Sequence, residues 1–369
     1  MPISMLYVKP SVKKEPAVGE IQSALNLAPI PAETPEMVYQ ALSEAPDPLR
    51  RGKQILYLTR NRGAFVRDCP GTRNYSCCGY RILHVGTYCS MDCSYCILQT
   101  CFHPPVMQFF VNHEDLFSEL ETVFLEHRIS RIGTGEFTDS LIWDQWTNFS
   151  PTLISRFSGQ NRAVLELKTK TAHVHRLRDV AHRRKTILAW SLNTDRVIQT
   201  EERRTAALDA RLAAAAQCAE WGYPLGFHFD PMVLYKGCET DYRHLVNRLF
   251  DRIAPRHMVW ISLGSFRFPP DLMPIVEKRF PESTIIYGEF VRGLDGKMRY
   301  FKPMRMDLYR KVVDAIRERA PEVLIYYCME DDEVWEQTMG FTPSDHGGLN
   351  TMLDRSAATH CGLDAGLLS

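Results

Sequence analysis

From residue 80 onward, apolar and polar positions fall into two alternating patterns. Short apolar runs predict strands at 80–86, 131–135, 163–168, 186–191, 225–229, 258–263 and 284–287. Longer stretches with apolar residues three and four apart predict helices at 113–127, 173–180, 203–221, 241–253 and 270–279. A repeating strand-helix unit implies a parallel sheet with right-handed crossovers, and this many units curl it into a partial or complete barrel. Functional groups are then expected at the C-terminal ends of the strands.

The rhythm breaks after residue 283. Asp295-Gly296 is a good type I′ turn between Phe290-Val291-Arg292 and Met298-Arg299-Tyr300-Phe301, which predicts a β-hairpin carrying basic and aromatic residues. A helix at 304–319 and a strand at 323–327 follow, and the tail from Asp331 includes Trp335, His346-Gly347-Gly348 and Cys361, to which no role is assigned. At the other end, Pro10, Pro16, Pro29, Pro31, Pro35, Pro46 and Pro48 interrupt any long periodic segment, so residues 1–48 read as an extended leader with one short helix near 34–43. The chain divides accordingly into a Pro-rich extension (1–48), a core (49–283), a hairpin-helix-strand extension (284–330) and a tail (331–369).

Composition narrows the class. A 45% apolar and 24% charged chain is globular, and 44 Lys+Arg against 44 Asp+Glu leaves no global basic field, so any nucleic-acid contact must be a local patch. One basic run, Arg50, Arg51, Lys53, Arg60, Arg62, Arg67 and Arg73, is either a phosphate-holding patch or a solvated face. With no signal-peptide pattern and no apolar stretch approaching a membrane span, the reading is a cytoplasmic protein without a membrane partner. Eleven cysteines in such a chain point to a reducing compartment, where thiols serve metal or redox work.

Three of those thiols are grouped. Cys89, Cys93 and Cys96 are spaced Cys-x3-Cys-x2-Cys directly after the apolar run at 80–85, in one tight loop at a strand end. Zinc takes four ligands, whereas three thiolates at this spacing leave one iron of a 4Fe-4S cluster open to an outside ligand. Cys69, Cys77 and Cys78 lack knuckle spacing; a second metal, with Cys101, or buried inert thiols are both readings of them, and spacing favours the latter.

The three-cysteine motif, with Tyr95 just before its third member, resembles the radical S-adenosylmethionine superfamily. That resemblance implies a 4Fe-4S cluster, S-adenosylmethionine (AdoMet) as cofactor and an α/β fold, a partial (βα)6-type TIM barrel. Gly135-Glu136 resembles the superfamily's glycine-glutamate motif; Lys170 suits the cofactor carboxylate, and Ser191-Leu192-Asn193-Thr194 offers hydroxyl and amide groups to the carboxylate or ribose. Asp230, in His228-Phe229-Asp230-Pro231, is placed to flank the adenosyl group or substrate, with a helix cap or turn as the alternative for it and for Asn193.

A longer set of motifs resembles the spore photoproduct lyase family. It comprises Cys93-Ser94-Tyr95-Cys96-Ile97-Leu98-Gln99-Thr100, Phe109-Phe110-Val111-Asn112, Thr138-Asp139, Lys170, Ser191-Leu192-Asn193-Thr194, Asp209-x-Arg211-Leu212-Ala213-Ala214-Ala215, Gly222-Tyr223-x-Leu225-Gly226-Phe227 and Phe266-Arg267-Phe268. The family resemblance implies reductive cleavage of AdoMet and radical reversal of a thymine dimer in DNA. It makes Tyr95, Glu136, Thr138, Lys170, Ser191, Asn193 and Thr194 cofactor-binding candidates, with Tyr95 and Glu136 also catalytic candidates. Arg267, Arg292, Lys297, Arg299, Tyr300, Lys302 and Arg305 become candidates for gripping damaged DNA, and an electron donor such as flavodoxin or ferredoxin is implied.

Two positions depart from the family. Glu136 stands where the family has a hydrogen-donor cysteine, and Ile97 where it has a relay tyrosine. Another group, Tyr95 or a thiol such as Cys101, must then complete the reaction. The alternative is the same radical chemistry on a small molecule, a nucleoside or a protein.

Overall fold

The computed structural model describes residues 2–71 and 75–368, so Arg73 of the basic run lies outside the described residues. Its main sheet contains seven parallel strands in the order Arg81–Leu83, Ser130–Gly133, Ala163–Thr169, Thr186–Ser191, Leu225–Met232, Met258–Ser265 and Ile325–Tyr327, with Val66–Asp68 antiparallel on the first edge. The two edges do not pair, which makes this the expected partial barrel. Every residue of Thr186–Ser191 and Met258–Ser265 is buried, because helices cover one face of these strands and barrel contents the other. The helices His113–Phe124, Leu208–Glu220 and Cys238–Arg252 fall where periodicity placed them, with shorter or shifted ends.

Several expectations need correction. The apolar run at 80–86 is split: Arg81–Leu83 joins the main sheet, and Gly86–Thr87 joins a second sheet after a crossing at His84-Val85. Residues 284–287 form no strand; Ile285 and Ile286 are apolar because they fill a small core with Phe266, Leu272, Phe280 and Tyr300. Residues 173–180 hold only the short 3-10 turn His175–Leu177. The hairpin exists, pairing Phe290–Arg292 with Met298–Tyr300, but its turn is not type I′: Gly296 has φ +77° while Asp295 is not left-handed.

The largest correction concerns residues 1–48, which are not an extended leader. Met5–Val8 is a central strand of the second sheet, parallel to Ile55–Thr59 on one side and to Pro29–Pro31 on the other, and Pro16–Leu25 is a helix. The prolines do not prevent this. Pro10, Pro16, Pro35 and Pro48 each begin a helical turn, where a missing N–H costs nothing, and Pro29 and Pro31 lie on a sheet edge. The boundary at 48/49 therefore cuts through one sheet. Met107–Phe110 and Gly86–Thr87 complete that sheet, so the N-terminal segment buttresses the strand from which the cysteine loop leaves.

The C-terminal tail is also structural. Asp332–Met339, capped by Asp331, buries Trp335, and Leu349–Cys361 packs on the barrel with Asp354 2.7 Å from the buried Arg131 guanidinium. No helix among the described residues is long and apolar enough to cross a membrane.

Candidate active site

The cysteine loop is fixed before any ligand is considered. Tyr88, buried and left-handed at φ 68°, turns the chain into Cys89, a strained geometry held by its hydroxyl bond to the Leu49 carbonyl at 3.0 Å. Lys53, 2% exposed, reaches under the loop: its ammonium donates to the carbonyls of Cys89 (3.1 Å) and Met91 and lies 3.6 Å from Asp92. Arg279 pairs with Asp92 (3.1 Å) and Asp47 (2.9 Å), and the Gln99 amide donates to the Cys93, Ser94 and Cys96 carbonyls. Asp92–Cys93 also pairs antiparallel with Glu202–Arg203. Fixed backbone on every side leaves the three side chains to face one space.

That space is a cavity of about 350 Å³ at the C-terminal ends of the barrel strands. Cys89, Cys93 and Cys96 form one wall with Tyr95, Ile97 and Leu98. Gly135, Glu136, Thr138, Asp139, Lys168, Lys170 and Ser191 line the strand ends, and Asp230, Phe266, Arg267, Lys297, Cys328 and Met329 complete the lining, with Phe266 edge-on to Tyr95 at 6.2 Å between ring centroids. Burial raises all three thiols, Cys89 to about 12, so their thiolates need a cationic centre as counter-charge. Among the described residues no three His, Cys, Asp or Glu side chains converge on one point as a single ion requires. Three separate thiols around one cavity fit a cluster whose irons each take one.

A buried charge network braces the wall. Glu202 accepts from the Tyr95 hydroxyl and from Lys170 at 3.0 Å, and pairs with Arg211, which also donates to the Ser191 carbonyl at 2.8 Å. Burial alone would raise the Glu202 carboxyl, but Lys170 and Arg211 outweigh it and hold the group at about 2. Asp139 braces the neighbouring strand end. Its carboxylate accepts from Thr169 Oγ1 (2.9 Å) and from the Lys170 (2.9 Å) and Leu141 (3.0 Å) backbone N–H groups.

The model for the family described as spore photoproduct lyase matches residues 75–327. The chain belongs to the spore photoproduct lyase family. The Bacillus subtilis (strain 168) spore photoproduct lyase is 30% identical over 240 residues, covering 63% of this chain and 68% of the relative. The Clostridium acetobutylicum enzyme is 26% identical over 257 residues, covering 68% and 71%. A solved spore photoproduct lyase variant with bound AdoMet and dinucleoside spore photoproduct superposes with a TM-score of 0.79 at 23% identity, covering 89% of this chain and all of that one, which shows a shared fold.

Against the family's expected site, the structure brings Cys89, Cys93, Cys96, Tyr95, Glu136, Thr138, Lys170 and Ser191 to one cavity, with Glu136 exposed at its rim. It does not bring Asn193 or Thr194 there. Asn193 donates to the Pro231 carbonyl (2.7 Å) and accepts from Tyr242, while Thr194 caps the helix Asp195–Glu201. His228 is likewise occupied, 2.9 Å from the buried Glu166.

The DNA candidates divide in the same way. Arg267 and Lys297 line the cavity, and Arg292 is exposed. Arg299 is buried against Asp295 (2.8 Å), Arg305 against Glu330 (3.1 Å), and Tyr300 is 3% exposed; Lys302 pairs with Asp331 (2.9 Å) and Glu333 (2.7 Å). These four are tied into the fold: Arg299 pairs locally, but the Tyr300 hydroxyl accepts from the Leu234 N–H 66 positions away and Lys302 reaches Glu333 31 positions away, which no local pattern reveals. Within the early basic run, Lys53 is buried and Arg60 pairs with Asp115, while Arg50, Arg62 and Arg67 remain exposed. Cys101 is exposed and outside the cavity. The site roles of Lys53, Glu202, Lys168 and Cys328 were not legible in the sequence; of these only Lys168 carried a signal, as the residue two positions before Lys170 near the end of the strand Ala163–Thr169.

Proposed function

We propose that this chain is a radical AdoMet lyase that splits a pyrimidine dimer of the spore photoproduct type in DNA. The observation that carries this reading is one cavity lined both by three cysteines and by the cations Lys168, Arg267 and Lys297, in a chain of this family. When bound, the 4Fe-4S cluster and AdoMet supply a 5′-deoxyadenosyl radical, which removes a hydrogen atom from a carbon of the lesion. Cys89, Cys93 and Cys96 would each hold one iron as a thiolate. Tyr95, Thr138, Lys170 and Ser191 would hold AdoMet, with Lys170, oriented by Glu202 at 3.0 Å, suited to its carboxylate. Glu136, at the rim, would accept from the cofactor's ammonium group. Leu98 and Phe266, both buried, keep the reacting region apolar and limit water.

For the lesion, Arg267 and Lys297 offer charge to the phosphate or pyrimidine carbonyls, Arg267 being oriented by Asp230 at 3.3 Å. The hairpin presents exposed Arg292, Val291 and Leu294, the last 76% exposed at its tip, as a wedge against the opened duplex. Ile97, 43% exposed beside Cys96, marks where the cluster loop reaches the surface and a flavodoxin or ferredoxin approaches. Eleven unpaired cysteines accord with a cytoplasmic setting.

One observation favours a second reading, the same chemistry on a substrate other than DNA: Arg299, Lys302 and Arg305 are neutralised internally. Binding separates the two. Lesion-bearing duplex should bind with an affinity that falls steeply with salt, by a log-log slope of about 2 to 4 for a few phosphate contacts; a flat salt response or no duplex binding refutes the DNA reading.

A further inference from the structure

A reaction that starts by taking a hydrogen atom from substrate and yields an isomeric product has to give a hydrogen atom back. The carboxylate of Glu136 holds no hydrogen to give, and a carboxylic O–H is too strong to give one readily; a thiol S–H is weak enough. Beyond the three cluster cysteines the chain has eight others. Cys218, Cys238 and Cys361 are buried in the protein's packing, and Cys77 and Cys101 are exposed. Cys69 and Cys78 are half-buried but do not line the cavity. Among the described residues, Cys328 is the remaining cysteine that does.

We propose that Cys328, which lines the same cavity as the cluster cysteines, is the hydrogen-atom donor that quenches the product radical. This rests on the lyase reading above. The residue is firmly held. It follows directly on the edge strand Ile325–Tyr327, and its own N–H still donates to the Leu263 carbonyl at 3.1 Å, so its Cα is fixed by the sheet. Met329, left-handed at φ 60°, then turns the chain away. The Arg267 guanidinium lies 3.6 Å from the sulfur and is itself tied to Asp230, which places the thiol beside a group proposed to contact the lesion. Burial pushes the thiol up to about 12 despite Arg267, so it keeps its hydrogen at neutral pH.

In the first step the lesion's C–H bond breaks and its hydrogen leaves in 5′-deoxyadenosine. After the dimer bond fragments, the product radical takes hydrogen from Cys328: the S–H bond breaks, a C–H bond forms, and a thiyl radical remains. One electron from a small electron-transfer protein, or from dithionite in vitro, and one proton from water restore the thiol. Each repaired lesion thus consumes one AdoMet, and the new hydrogen in the product comes from solvent through an exchangeable S–H.

The test uses the full chain with Cys328→Ala and the near-isosteric Cys328→Ser. In cofactor-free protein, alkylation of Cys328 by iodoacetamide at about pH 9, where a usable thiolate fraction forms, followed over hours by mass spectrometry, should slow when dinucleoside spore photoproduct is added; unchanged labelling with the dinucleoside demonstrably bound overturns the proposal. In the reconstituted enzyme in D2O, the natural protein should deliver one solvent deuterium per product. Both variants should lower repaired product per 5′-deoxyadenosine by about tenfold or more. Variants that keep that ratio and the deuterium place the donor elsewhere and refute Cys328. A natural protein that neither binds the dinucleoside nor couples its repair to AdoMet cleavage refutes the lyase reading, and this proposal with it.

Discussion

Glu202→Gln removes the one anion that joins Tyr95, Lys170 and Arg211 behind the cavity wall. The Glu202 and Arg211 side chains are fully buried, so the change leaves a buried guanidinium without its counter-charge. Two independent routes give the magnitude. The folded protein holds the Glu202 carboxyl at about 2 against an ordinary 4.5, and at about 1.4 kcal/mol per pK unit this is worth about 3 kcal/mol. Breaking a buried ion pair by removing one partner costs about 3 to 5 kcal/mol, which agrees. Because the folded-state value is depressed, the carboxylate's contribution is fully present above the unfolded value and is lost as pH falls through the folded value. Urea unfolding of cofactor-free protein should therefore show Glu202→Gln less stable at pH 7 by about 3 kcal/mol, with the gap narrowing below pH ~4.5. A gap under about 0.5 kcal/mol, or one that widens on acidification, would refute the network argument.

Lys53→Met should destabilise the cofactor-free chain by about 2 to 4 kcal/mol, since two loop carbonyls and Asp92 lose a buried donor. It should also lower the iron bound per chain after reconstitution, measured by iron and sulfide analysis. Gly86→Ala should destabilise by more than about 2 kcal/mol in the same unfolding assay, because its Cβ would stand 2.4 Å from the Gln108 carbonyl oxygen where the two antiparallel strands meet. Among the hairpin cations, Arg299→Ala should lower thermal stability by several degrees, having lost Asp295 and the Met329 carbonyl. Lys297→Ala should instead weaken binding of lesion-bearing duplex and reduce the salt slope by about one, measured by fluorescence anisotropy across a salt series.

The barrel was legible because its strands are buried on both faces, which writes them as apolar runs such as Thr186–Ser191 separated by amphipathic helices. The cluster loop was legible because its three thiols are local in sequence. Residues 1–48 were not, since a proline at the start of a turn looks the same in sequence as one that breaks a helix, and Met5–Val8 is only four residues long. The roles of charged residues were the least legible. Lys53 meets its carbonyl partner 36 positions away, Glu202 meets Tyr95 107 positions away, and Arg305 meets Glu330 25 positions away. Charge sign alone cannot separate a cation waiting for phosphate from one already paired inside the fold. Asn193 and Thr194 show the same limit: a strand-end amide and hydroxyl suit a cofactor or a helix cap equally, and tertiary contacts made them structural.

The most direct measurement is anaerobic. The chain is reconstituted with iron and sulfide, reduced with dithionite, supplied with AdoMet and dinucleoside spore photoproduct, and followed for 5′-deoxyadenosine and repaired dinucleoside together. The account predicts that both appear only with the complete Cys89, Cys93 and Cys96 set, and that repair accompanies cleavage. AdoMet cleavage that leaves the photoproduct intact, or repair that survives loss of a cluster cysteine, would contradict it.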